Sequence, residues 1–98
     1  MLEKIKLALR ISHNKLDGEI NDNIAFAKQE MERLGIDTSK TVADGETAVM
    51  DPLIYNAIKT YCQYAFTTDL KAQEGYFTSW SYQLDCLRKT EAYRVVTV

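Results

Sequence analysis

His13 is the only histidine in the 98-residue chain, so any Ser–His or Cys–His nucleophile would have to be built on it. It falls in the polar stretch "SHNKLDG" and has the character of a surface residue in a turn. Cys62 and Cys86 are too far apart in sequence to form a close-spaced metal pair, and no second histidine joins them. On helices they read as small buried apolar residues of a reduced, intracellular chain. Asp22, Glu30 and Glu32 share the polar side of one helix and read as a solvated face, not as an acid–base pair. No glycine-rich loop is present to cradle a phosphate. These residues point to no catalysis, no metal and no cofactor.

The 98 residues suffice for one domain, 1–98, and one core. With 12 Lys+Arg against 14 Asp+Glu the formal charge is −2, which argues against a nucleic-acid footprint. Lys4, Lys6, Arg10 and Lys15 form the one local basic cluster. A small helical regulator or nucleic-acid-binding protein using that cluster is the alternative reading, and steep salt dependence would be its mark. The opening "MLEKIKLALRIS" alternates charge with aliphatics, so no signal peptide is expected. No run approaches a membrane span, and a cytoplasmic site of synthesis is expected.

Leu2, Ile5 and Leu9 predict a first helix over 2–11. Asp17 is the expected N-cap of a second, with Glu19 favouring its dipole. Ile20, Ile24, Ala27, Met31 and Leu34 give that helix a narrow apolar stripe. Gly35 stands where a left-handed C-cap residue belongs, with Ile36 able to fold back on Met31. Residues 37–50 show no sustained period and read as a long loop with a turn at Asp44-Gly45. Asp51 as N-cap and Pro52 at the first position open a third helix. Its apolar residues, from Leu53 to Phe66, fan across roughly 220° at about 100° per residue. A central helix surrounded by the others is one explanation of that arc. Three other short helices can hardly cover so wide a face, which favours an added contact with another subunit. Leu53, Ile54, Ala57 and Ile58 are assigned to the subunit core. Gly75 is expected to break the chain before a fourth helix, whose face is Phe77, Trp80, Leu84 and Leu87 and whose end lies near Lys89. The tail "AYRVVTV" reads as extended. The expected fold is all-α, a small four-helix bundle with a long loop and an extended C-terminus.

Apolar residues outside these stripes, including Leu7 and Ile11, point to assembly. Candidate interface residues are Phe26, Tyr55, Tyr61, Tyr64, Phe66 and Tyr82, with Arg94, Val95, Val96 and Val98 of the tail.

The order of these elements resembles the head–tail connector family of long-tailed phages and prophages, also called head-completion or adaptor proteins. The resemblance rests on Lys6, Leu9, Arg10 and Ile11 of the first helix and the acidic start at Asp17. It continues through Ile20, Ile24 and Ala27, then Pro52, Ala57 and Ile58, and finally Leu84, Leu87, Tyr93 and Arg94. It spans almost the whole chain. The resemblance implies a non-catalytic virion component at the head–tail interface, made in the host bacterial cytoplasm. The implied partners are further copies of itself in a ring homo-oligomer, the phage portal protein, and a tail-side stopper or head-closure protein. Double-stranded DNA would pass through the channel without sequence-specific binding.

Overall fold

In the computed structural model, which describes residues 1–45 and 47–95, the chain forms α1 (Leu2–Leu9), α2 (Asp17–Arg33), β1 (Thr41–Asp44), β2 (Thr47–Met50), α3 (Pro52–Phe66) and α4 (Leu70–Lys89). A single 3-10 turn, Glu91–Tyr93, follows α4. The expected all-α bundle therefore acquires a strand pair. Segment 37–50 is largely a hairpin, with Thr41 opposite Met50 and Asp44 opposite Thr47. Gly45 opens the two-residue connection at φ +67°, a conformation glycine reaches without steric cost.

Three helix ends differ from the sequence reading, each for a local reason. α1 stops at Leu9 because Arg10 turns left-handed, at φ 58°, and the Ile11 N–H returns to the Lys6 carbonyl at 2.9 Å. The α2 N-cap is Leu16, without a side-chain cap, because the carboxylate of Asp17 is turned to Lys6 instead. α4 begins at Leu70, since Asp69 caps the N–H groups of Lys71 and Ala72 at 3.0 and 3.4 Å. Gly75 is thus a helical residue, not a break.

The C-terminal end of α2 follows expectation. Gly35 has φ +83°, its N–H meets the Glu32 carbonyl at 2.9 Å, and the Ile36 N–H meets the Met31 carbonyl at 3.0 Å. This paired closure buries Met31 and Ile36 completely. The two glycines should respond to substitution with opposite signs. Gly35→Val is expected to lose about 1 kcal/mol or more, since a β-branched residue resists positive φ. Gly75→Ala is expected to gain about 0.5–1 kcal/mol, because a Cβ there meets nothing within 4 Å and alanine is the better helix former. Urea melts of both variants check this, and a shift of the same sign in both would refute it.

α3 is the hub. It packs on α1, α2 and α4, whereas α4 rests on α3 and the 3-10 turn. Buried residues run round α3 from Thr60 through Ala57, Ile54 and Ile58 to Cys62, roughly 200° of its circumference. Most of the wide apolar arc is therefore explained inside one subunit. Thr60 is buried with its hydroxyl satisfied: it donates to the Asn56 carbonyl at 2.8 Å and accepts from Gln83 at 3.0 Å. Leu53, assigned to the core, is instead 51% exposed, while Ile54, Ala57 and Ile58 are fully buried. Phe77 is also half-exposed, because it lies at the edge of the face formed by Trp80, Leu84 and Leu87. The Cα trace measures 41 × 33 × 20 Å. Its short dimension is about two helix diameters, so each outer helix keeps an open back.

Candidate assembly surfaces

The helix starts and ends give the bundle two unlike poles. At one, the α1–α2 turn lies near the α3–α4 turn. The other holds the hairpin, the N-terminus of α1 and the end of the described tail. That second pole is fastened at Asp51, which is almost fully buried. Its carboxylate caps α3 by accepting from the Leu53 N–H at 2.9 Å, and it accepts from the Tyr93 hydroxyl at 3.1 and 3.2 Å. Burial first, and then the Asp51 charge, push the Tyr93 hydroxyl up and keep it a donor. Lys40 Nζ stands 5.2 Å over the Tyr93 ring. The tail then pairs with the end of α2: Arg94 bridges Ile36, and the Val95 N–H reaches the Gly35 carbonyl at 2.9 Å. Arg94 and Val95 are exposed at that edge, and Val96 and Val98 lie outside the described residues.

The interface residues named from sequence fall into separate places. Phe26, Tyr61 and Tyr64 come together with Phe77 and Trp80 in one aromatic cluster across α2, α3 and α4. Tyr61 is central, with ring centroids 5.3 Å from Phe26, 5.8 Å from Tyr64 and 5.1 Å from Trp80, and Tyr64 lies 5.3 Å from Phe77. Such tilted contacts suit the ring quadrupoles. Phe26 thus leans toward α3 instead of standing alone on the polar side of α2. On the other flank of α4, Tyr82 borders an apolar groove with Leu53, Asn56, Gln83, Cys86 and Leu87. Tyr82 is 70% exposed, and Cys86, expected to be buried, is exposed as well. Cys62 is the buried thiol, and burial pushes it up to about 11, so it stays protonated and inert near neutrality.

Tyr55 and Phe66 join neither surface. Tyr55 lies beside Met1, Val49 and Met50 at the hairpin pole, under Lys4 at 5.3 Å. Phe66 lines a cleft with Leu9, Ile11, Leu16 and Tyr76 at the opposite pole. Leu7 is 78% exposed, whereas Ile11 packs against the core. Leu53 and Phe77 are the surface residues that sequence spacing misassigned. The readable signal lay in angle: at about 100° per residue, Phe77 stands well off the centre of its own stripe.

The basic cluster is partly consumed within the fold. Lys6 is buried, with Nζ 2.8 Å from Asn14 Oδ1 and 2.9 Å from Asp17 Oδ1. The Asp17 oxygen is poorly aligned for a hydrogen bond, so the attraction is Coulombic. Lys4 is engaged over Tyr55, leaving Arg10 and Lys15 outward. His13 is exposed and accepts from the Lys15 N–H through Nδ1 at 3.2 Å. Among the described residues, no three His, Cys, Asp or Glu side chains are grouped to hold a metal, and no helix is long and apolar enough to cross a membrane.

What distinguishes this helical module is its uncovered apolar surface, at Phe26, Leu53, Phe77 and Tyr82. The model of the phage connector protein family matches residues 1–93, and the chain belongs to that family. No curated protein and no solved structure matches it. Family membership makes it a structural connector of phages, a virion component that meets other head or tail proteins.

Proposed function

We propose that the chain is a head–tail connector that forms a ring beneath the portal, extends the DNA channel and docks the next tail-joining protein, without catalysis. The observation that carries this reading is the family match over residues 1–93 in a subunit with two different open flanks on α4. A closed ring joins unlike surfaces head to tail, and the aromatic cluster and the Tyr82 groove are unlike. The two dissimilar poles suit a ring with different neighbours above and below. A formal charge of −2 suits a wall that DNA passes without being gripped. Native mass measurement of the chain, alone and with the matching portal, tests the reading. One closed multiple in the presence of portal supports it, and a monomer under both conditions overturns it.

The tail is the proposed portal-facing grip. Deleting residues 94–98 is expected to leave the helical circular dichroism unchanged. It removes the Val95–Gly35 hydrogen bond, at a cost of about 1 kcal/mol, and lowers the Tm by a few degrees. Attachment to the portal should be lost, because an extended segment binds through backbone hydrogen bonds and alternating side chains. Full-strength attachment by the shortened chain would remove the tail from the interface.

A further inference from the structure

We propose that the C-terminal tail is docked in a self-masked position, which it must leave before it can grip the portal. The inference rests on the reading of the tail as the portal-facing grip and adds how that grip is controlled. Strand addition needs free backbone groups on the incoming segment. In the subunit, the N–H groups of tail residues 93–95 are all engaged internally. The Tyr93 N–H donates to the Thr90 carbonyl at 3.0 Å and the Arg94 N–H to the Glu91 carbonyl at 3.1 Å. The Val95 N–H donates to the Gly35 carbonyl at 2.9 Å, and the Tyr93 carbonyl accepts from the Asp37 N–H at 2.7 Å. Segment 35–37 thus already occupies the place a partner strand would take, in an antiparallel pairing centred on Ile36 and Arg94.

The dock is of a kind that can open. Arg94 and Val95 are exposed and Tyr93 is half-buried, so release uncovers little apolar surface. Hydrogen bonds supply most of the hold, and water can replace them. Besides the backbone pairs, the Tyr93 hydroxyl donates to Asp51 at 3.1 Å and Arg94 Nε donates to the Arg88 carbonyl at 3.1 Å. Asp51 keeps its capping bond to the Leu53 N–H when Tyr93 leaves, so α3 does not depend on the dock. Thr90 and Arg94, on either side of the 3-10 turn, have extended backbones, with ψ 117° and 143°. The turn therefore hangs from α4 by a non-helical residue and can swing away without unwinding that helix. The docked tail is the resting state, and only the released fraction of subunits is competent to grip. The apparent affinity for the portal is lowered by that fraction.

Hydrogen exchange of the full chain, alone and with the portal, reads the dock directly. In the free subunit the Asp37 and Val95 amides should both be protected. On the portal the Asp37 amide should lose its protection, since its acceptor has left, while Val95 stays protected by its new partner. Tyr93→Phe supplies an independent measurement, because it removes the hydroxyl bond to Asp51 and leaves the backbone pairing possible. That variant should melt a few degrees lower yet attach to the portal roughly tenfold more tightly, as the released fraction rises. If residues 94–98 are needed for attachment but Asp37 stays protected on the portal, the tail grips without undocking and the proposal is overturned. Attachment of Tyr93→Phe that is no tighter than wild type overturns it as well, and leaves the grip itself standing. Full-strength attachment by a chain lacking residues 94–98 overturns the grip reading, and its control by docking with it.

Discussion

Shortening Ile58 to alanine is expected to destabilise the fold by about 3 kcal/mol, whereas Leu53→Ala, on the same helix, should cost under about 0.5 kcal/mol. Ile58 is completely buried on the hub helix, so truncation there loses the transfer free energy of three carbons and leaves a cavity that three neighbouring helices can only partly close. Leu53 is half in water already and its neighbours bound an open groove, so little packing is lost. Urea denaturation of both variants measures the difference. Equal losses, or a loss below about 1 kcal/mol at Ile58, would refute the central position of α3. The same pair separates stability from assembly: Leu53→Ala should weaken self-association while leaving the subunit folded.

The second large effect is expected at the α1–α2 junction. The Lys6 side chain is 6% exposed and that of Asp17 is 30% exposed, with 2.9 Å between Nζ and Oδ1. Asp17→Ala removes the one carboxylate paired with Lys6 among the described residues and leaves the ammonium with the neutral Asn14 oxygen. The expected loss is about 2 kcal/mol, below the range for a fully buried pair because water still reaches Asp17. Lys6→Met keeps the volume and removes the charge, so it should be far milder and could even stabilise. In the double variant, Lys6→Met should offset most of the damage done by Asp17→Ala. Thermal melts of the three chains decide the matter: a harmless Asp17→Ala, or no rescue in the double variant, would show that the pair does not hold the junction.

The helices whose signals are local were readable from the sequence. The Ile20–Met31 stripe, Gly35 with Ile36, and the Asp51-Pro52 opening each involve residues within one or two turns, and each appears as read. What failed depended on weighing one signal against another. Gly75 was read as a stop, although Asp69 caps the helix six residues before it, and tertiary packing tolerates one glycine. The hairpin was concealed by its composition: Ala43 and Ala48 face each other at a central pair, and alanine is a poor strand former. Only the Asp44-Gly45 turn announced it. Asp17 was taken as a cap because its type suits one, whereas its partner, Lys6, belongs to the preceding helix and no local rule points there. The candidate surfaces were half legible. Off-stripe aromatics marked Phe26, Tyr61, Tyr64 and Tyr82, but which of them share a surface depends on the helix packing, and so does the exposure of Leu53 and Phe77.

The central place of α3 in space, combined with its place in the middle of the chain, bears on the order of events during synthesis. Residues 1–50 hold two helices that both pack on α3, so little of the core can close until residue 66 is free of the ribosome. Closure of the hairpin pole waits longer still, because the Asp51 carboxylate receives the Tyr93 hydroxyl and Gly35 receives Val95, contacts that span 42 and 60 residues (93 − 51 and 95 − 35). A chain released before Tyr93 would keep its helices but leave that pole unlatched. Synthesis of the segment from Tyr93 to Val95 is thereby coupled to closure of the hairpin pole.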